Sequence, residues 1–146
     1  MKKLIITLGL LLGLNATMLA ADTCSNDESI LPQQARTLIS DNFQSKISVI
    51  EVEKKKGNIN EYEVVLSDGT EIIFDENGNM ESIETPRAES VPSVFIPQKI
   101  SDYIAKNYSS ARVVGIDKES YGYEIDLSNG IGLQFNVQGD FIRFDM

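Results

Sequence analysis

Side-chain oxygens alternate at positions 75, 77 and 79 in the run Asp75-Glu76-Asn77-Gly78-Asn79. Hard cations such as calcium take oxygen ligands at this kind of spacing, but an EF-hand loop puts its glycine sixth and a bidentate Glu twelfth. Here Gly78 is fourth and the twelfth position is Pro86. An acid or amide three residues before a glycine with positive φ is also the ordinary way to close a hairpin, and the turn is the favoured reading. A related run, Asn136-Val137-Gln138-Gly139, keeps the glycine and lacks the leading carboxylate. A function resting on an acidic turn would then be confined to the first run.

The chain has no histidine. That removes the commonest general base, the usual partner of a Ser or Cys nucleophile and the commonest zinc ligand. Carboxylates remain for acid–base work. Glu61, Glu63, Glu71, Glu124 and Asp126 fall on the outward side of alternating strands, where strongly shifted pKa values are not expected. The sequence therefore points away from an enzyme, and no cofactor or metal is expected. Cys24 is the single cysteine, so it has no internal disulfide partner. It reads as a free thiol on a tether, with a Cys24-linked dimer as the alternative in an oxidising compartment. Acylation is disfavoured because Asp22 breaks the run of small uncharged residues that a lipid-attachment signal needs before its cysteine.

The elements that position these residues occur twice. Leu31-Pro32-Gln33 returns as Ile96-Pro97-Gln98, and Tyr62-Glu63, Leu66-Ser67, Gly69, Phe74 and Gly78 return as Tyr123-Glu124, Leu127-Ser128, Gly130, Phe135 and Gly139. A repeat of this length makes one supersecondary unit the thing to explain. Each unit opens on a proline suited to the first position of a helix. Apolar residues then follow at 35, 38, 39 and 43, and at 100, 103, 104 and 108, the spacing of a single buried stripe. The period next changes to alternation. Tyr62, Val64 and Leu66 face one way and Glu61, Glu63 and Val65 the other; Ser67-Asp68-Gly69 turns the chain, and Ile72 and Phe74 return inside. The second copy runs Tyr123, Ile125 and Leu127 inward, turns at Ser128-Asn129-Gly130 and returns through Ile131, Leu133 and Phe135. Strands are further expected over 46–53 and 112–117, and over 80–84 and 141–145. The expected fold is α+β: two tandem units, each a helix plus a four-stranded antiparallel sheet, with the helices on one sheet face.

The boundaries follow from composition. Lys2 and Lys3, an apolar run over 4–14 and a small-residue end make residues 1–21 a signal peptide. The run is short of the roughly 20 residues a membrane span needs. Residues 22–30 are polar and aperiodic, which predicts a disordered leader. The first unit is 31–84, the proline-bearing linker 85–95, and the second unit 96–146. The whole chain carries a net charge of −9; removing Lys2 and Lys3 leaves 11 basic against 22 acidic side chains, a net of −11. Clustered positive charge is limited to Lys54-Lys55-Lys56 at a hairpin tip, so nucleic acid is not an expected partner, nor is an anionic membrane surface.

These pieces resemble the periplasmic PepSY-like family, also described as β-lactamase-inhibitor-protein-like. The Pro32 and Pro97 helix starts, the Tyr62-Glu63-Val64 and Tyr123-Glu124-Ile125 strands, the turns at Gly69 and Gly130, and the Phe74-Asp75-Glu76-Asn77-Gly78 hairpin carry the resemblance, which covers nearly the whole mature chain. It implies tandem helix-plus-sheet repeats, export to the periplasm of a Gram-negative cell or beyond it, and a binding role.

The outward sheet face is the candidate site: Glu61, Glu63, Val65, Glu71 and Ile73 in the first unit, and Glu124, Asp126 and Gln134 in the second. Tyr121, Phe141 and Phe144 stand at its rim as aromatic anchors, where interface energy tends to concentrate. The expected activity is non-enzymatic and inhibitor-like, with a protein partner of unknown identity bound to this face by a monomer. The alternative is a divalent-cation or small-ligand binding protein of the envelope.

Overall fold

The structure, a computed structural model, describes residues 23–145. The signal peptide read at 1–21 lies outside them. The strands are β1 (Thr23–Ser25), β2 (Ile47–Lys55), β3 (Asn58–Leu66), β4 (Glu71–Asp75), β5 (Met80–Glu84), β6 (Val113–Glu119), β7 (Gly122–Leu127), β8 (Gly132–Asn136) and β9 (Phe141–Asp145). The helices are α1 (Gln33–Asn42), between β1 and β2, and α2 (Gln98–Asn107), between β5 and β6. Among the described residues, no helix is long and apolar enough to cross a membrane.

Each helix starts and stops for local reasons. Pro32 and Pro97 precede the first helical residue, one place earlier than the sequence suggests, and act as caps through their fixed φ of −53°. At the other end Asn42 donates its side-chain amide to Leu38 O at 2.9 Å and Asn107 to Tyr103 O at 2.8 Å, a second bond to a carbonyl of the last turns. Ala35 and Ile39 of α1, and Ile100 and Ile104 of α2, are buried in one apolar cluster with Ile50, Val64, Ile72, Ile83, Ile116, Ile125 and Leu133 of the strands. Both helices therefore cover the same sheet face.

The two four-stranded sheets expected from the repeat are in fact one sheet. Nine strands pair antiparallel in chain order from β1 to β9. The joint is β5 on β6, with Ser82, Ile83 and Glu84 opposite Asp117, Ile116 and Gly115. It forms because the last strand of one unit would otherwise present a row of unpaired backbone groups, which a neighbouring strand of matching pattern satisfies. The 85–95 linker is stapled to the same seam: Thr85 N–H reaches Val114 O at 2.7 Å and Val91 N–H reaches Val113 O at 2.9 Å, with Val91 itself buried.

Residues 23–30 of the leader are also ordered, contrary to the disorder its composition suggests. Thr23, Cys24 and Ser25 form β1 opposite Val52, Glu51 and Ile50, and Glu28–Ile30 makes one 3₁₀ turn capped by Asp27. β1 occupies on β2 the place that β5 occupies on the equivalent strand β6, so it closes the first edge of the sheet as the end of a preceding unit would.

A single sheet predicts a single unfolding transition. Ile83→Ala, which opens a cavity beside the seam, should cost about 2–5 kcal/mol and shift one shared transition in urea, read by tyrosine fluorescence and far-ultraviolet circular dichroism. Two separated transitions would mean that the halves fold as independent bodies.

Candidate functional site

The oxygen-rich turn at Asp75–Asn79 is occupied by its own backbone. Asp75 Oδ1 accepts from Asn77 N at 2.9 Å and Asn79 N at 2.8 Å, and Oδ2 accepts from Asn79 Nδ2 at 2.8 Å. Against the cost of partial burial, the bonds from Asn79, Asn77 and Gly78 hold this carboxyl below its usual range. Gly78 has φ +87°, and a Cβ there would lie 2.8 Å from the Pro32 ring, so the turn lies against the start of α1. Gln34 secures it by donating to Asn79 at 2.9 Å.

The second unit builds the same turn with the charge moved. Asn136 Oδ1 accepts from Gln138 N at 3.0 Å and Asp140 N at 2.8 Å, while Lys99, at the place of Gln34, forms an ion pair with Asp140. The Asp75/Asn79 pair has become Asn136/Asp140. The carboxylate the sequence analysis found missing from the second turn is thus present four residues later, and both turns are hairpin closures docked on helices.

The sheet face opposite α1 and α2, helix-free among the described residues, carries the unexplained charge. Two rows of side chains cross it, set by the strand registers. One row runs Glu51, Glu63, Ile73, Ser82, Asp117, Glu124, Gln134 and Arg143. The other runs Val49, Val65, Glu71, Glu84, Gly115, Asp126, Gly132 and Asp145. All eight residues singled out from the sequence lie on this face. Glu63 faces Ile73, Val65 faces Glu71, and Glu124 faces Gln134, with Asp126 one row over. Glu61 stands apart from both rows, two residues before Glu63 on β3, between Glu53 and Asp75. The first-unit and second-unit groups are joined by residues that sequence reasoning passed over: Ser82 and Glu84 on β5 and Asp117 on β6. Their outward parity was readable, but their proximity depends on the β5–β6 pairing.

The face is less open than an ordinary solvated sheet. Ile73, Ser82, Glu124 and Gln134 are all at most 8% exposed although neither α1 nor α2 covers them. Hydrogen bonds join the polar side chains of the second unit on this face. Tyr121 O–H donates to Glu124, Gln134 Nε2 donates to Glu124 at 3.0 Å and to Asp145 at 3.2 Å, and Arg143 Nε donates to Gln134 Oε1 at 2.7 Å. Phe141, expected at the rim, instead stacks on Tyr103 of α2 with ring centroids 5.2 Å apart, on the helix face.

Asp126 is the centre of the second row. Gly115 and Gly132 flank it, and a Cβ on either would come within 3.2 Å of Asp126 Oδ2 or 3.3 Å of Oδ1 respectively. No hydrogen bond or ion pair reaches this carboxylate among the described residues. Burial raises its pKa, and Asp117, Glu84, Asp145 and Glu124 push it further. Burial likewise raises Asp117, with a bond from Ser82 opposing and Glu124, Glu119 and Glu84 adding, and it raises Glu71, helped by Glu84. Of the acids singled out from the sequence, Glu71 and Asp126 are thus raised, by burial and by neighbouring carboxylates. The sequence shows each acid alone, whereas the registers place them side by side.

A polar recess of about 320 Å³ between the end of α1, the β3–β4 turn and the linker contains Asp68, but that carboxylate is already bonded to Ser45 and the Thr70 N–H. Among the described residues, no group of three or more acids or cysteines is disposed to hold a metal.

A duplicated helix-on-sheet module with an acidic face opposite its helices is the class this geometry defines. Residues 21–81 and 60–143 each match the family described as "putative beta-lactamase-inhibitor-like, PepSY-like", and the chain belongs to that family. Among solved structures, a "putative periplasmic protein of unknown function" from Bacteroides vulgatus is 36% identical, with a TM-score of 0.81 over 86% of this chain and 100% of that one. A "putative calcium-regulated periplasmic protein" from Bacteroides thetaiotaomicron is 32% identical, with a TM-score of 0.74 over 81% of this chain and 92% of that one. Another "putative periplasmic protein" from B. vulgatus is 28% identical, with a TM-score of 0.78 over 87% and 98% of the two chains. No curated relative matches the chain.

The raised acids set a pH dependence whose sign follows from proton binding. Between the unfolded values, 3.8 for Asp and 4.5 for Glu, and the higher native values, the native state holds more protons than the unfolded chain, so stability falls as pH rises through that window. Asp75 and Asp140, held low, act oppositely, and their contribution is lost as pH falls below 3.8. The melting temperature should therefore rise on acidification from pH 7 before acid unfolding sets in. Asp126→Asn should raise it at pH 7 and shrink that rise. A melting temperature that only falls below pH 7, with Asp126→Asn neutral, would contradict the charge crowding.

Proposed function

We propose that the protein is a non-enzymatic periplasmic binding module that presents its helix-free sheet face to a basic or mixed-charge protein partner, in the manner of an inhibitor. One observation carries the reading. Asp126, Asp117 and Glu71 are partly buried, the exposed Glu84 crowds all three, and Asp126 meets no counter-ion among the described residues. A Lys or Arg side chain arriving over this row relieves repulsion already present in the free protein, which is electrostatic complementarity acting on affinity and encounter rate. Val65 and Ile73 supply apolar contact within the same face, and membership of an inhibitor-like family agrees with a surface that binds without chemistry.

Capture from periplasmic extract tests it. Glu63→Lys/Glu71→Lys/Glu84→Lys reverses charge at the face while leaving the bonded Glu124–Gln134 pair in place. Partner recovery should fall at least about tenfold, roughly 1.4 kcal/mol, and recovery by the unaltered protein should weaken with salt. Equal recovery by both proteins would remove the face from consideration.

Divalent-cation binding is a second reading, favoured by the description of the B. thetaiotaomicron relative as calcium-regulated. The 75–79 turn has its carboxylate filled, so the reading moves to the acids of the sheet. Calorimetric titration with calcium to about 1 mM, within the range of weak extracellular sites, should then give heat and raise the melting temperature, and Asp126→Asn should abolish both. No heat and no thermal shift would end it.

A further inference from the structure

β1 closes one edge of the sheet; the other edge is β9. In the first unit the equivalent strand, β5, is covered by β6, and Thr85 N–H bonds to Val114 O across that joint. Residues two apart on an antiparallel strand direct their backbone groups the same way, so the N–H and C=O of Ile83 also face β6. Phe144 holds the place of Ile83, opposite Leu133 as Ile83 is opposite Ile72. Its backbone N–H and C=O therefore turn away from β8, toward an edge on which no described strand lies.

Open edges are usually blunted with proline, lysine or a bulge. β9 has neither proline nor lysine, and its bulge precedes the regular stretch Arg143-Phe144-Asp145. Three of the exposed large apolar residues gather here: Val137 at 59%, Ile142 at 49% and Phe144 at 53%. Arg143 and Asp145 lie on the acidic face. Arg143 is bonded only through Nε, and no hydrogen bond reaches its terminal nitrogens among the described residues. Asp145 accepts through Oδ1 alone.

An antiparallel strand centred on Phe144 must bring an acid opposite Arg143, a base opposite Asp145 and an apolar group opposite Phe144. β9 of a second copy, run in the opposite direction, meets all three requirements. We propose that the protein forms a twofold dimer by pairing β9 with β9 of a second copy, which joins two nine-stranded sheets into one. Phe144 meets Phe144 of the second copy in the hydrogen-bonded pair. Arg143 and Asp145 form two reciprocal pairs at the flanking positions, where facing side chains come closest. The interface is isologous, as a twofold contact must be. The proposal is independent of what the acidic face binds, and it replaces the monomer expected from the sequence.

Sedimentation equilibrium tests it on the mature protein carrying Cys24→Ser, which excludes a disulfide-linked dimer. The range is about 5–500 µM protein, where a small strand-edge contact associates, in about 0.15 M salt to screen the net negative charge. A monomer–dimer equilibrium is expected. Arg143→Asp sets acids opposite acids and should weaken association at least tenfold. Arg143→Asp/Asp145→Arg restores opposite charges across the axis and should recover the original strength within about threefold, which a misfolded variant could not do. A monomer throughout the range would overturn the proposal. So would a dimer unaffected by Arg143→Asp, or open-ended oligomers, which indicate head-to-tail pairing of β9 with the β1 edge.

Discussion

A strand at the end of a four-stranded unit leaves a ladder of backbone N–H and C=O groups facing sideways, and that ladder must be paired, covered or left to water. In this chain the ladder on β5 is paired with β6, and the rest of the arrangement depends on that choice. It turns two repeats into one sheet, brings both helices onto a common face and merges their apolar stripes into one cluster. It also carries the outward rows of the first unit into those of the second, which is how Glu84 comes to lie beside Gly115 and Asp126.

Apolar and charged consequences of the joint fall on opposite faces. On the helix side, Ile83 against Ile116 extends a line of branched aliphatic side chains from β2 to β8, all essentially inaccessible to water. On the bare side the same pairing crowds carboxylates that would have been far apart in two separate units. Repulsion there opposes folding, and the aliphatic line offsets it. A surface that keeps such repulsion in its free state is poised to accept positive charge, because a cationic partner supplies what the fold leaves out. Glycine at 115 and 132 belongs to the same design, since side chains at either place would press on the Asp126 carboxylate.

Much of this was legible along the chain because its causes are local. Pro32 and Pro97 mark helix starts, the i, i+3, i+4 stripes mark buried helix faces, and alternation fixes which residues of β3, β4, β7 and β8 point outward. The strands at Met80–Glu84 and Phe141–Asp145 lie where the pattern puts them. What was not legible is what depends on pairing between distant segments. Thr23-Cys24-Ser25 has no apolar period and becomes a strand only because β2 offers it an edge. Ser82, Glu84 and Asp117 looked like isolated polar residues until β5 met β6. Only the helix contacts explain why Asp75/Asn79 can be exchanged for Asn136/Asp140: Gln34 serves an amide where Lys99 serves a carboxylate.

The seam between the units is where the account is most exposed to test, and native-state hydrogen exchange reads it amide by amide. The N–H groups of Thr85 and Val91, bonded at 2.7 and 2.9 Å to Val114 and Val113, should exchange only through global unfolding, with the same protection as the amides of β3 and β7. Exchange of these two amides with markedly lower protection than both flanking units would show that the halves open independently at β5–β6, and would contradict a single continuous sheet.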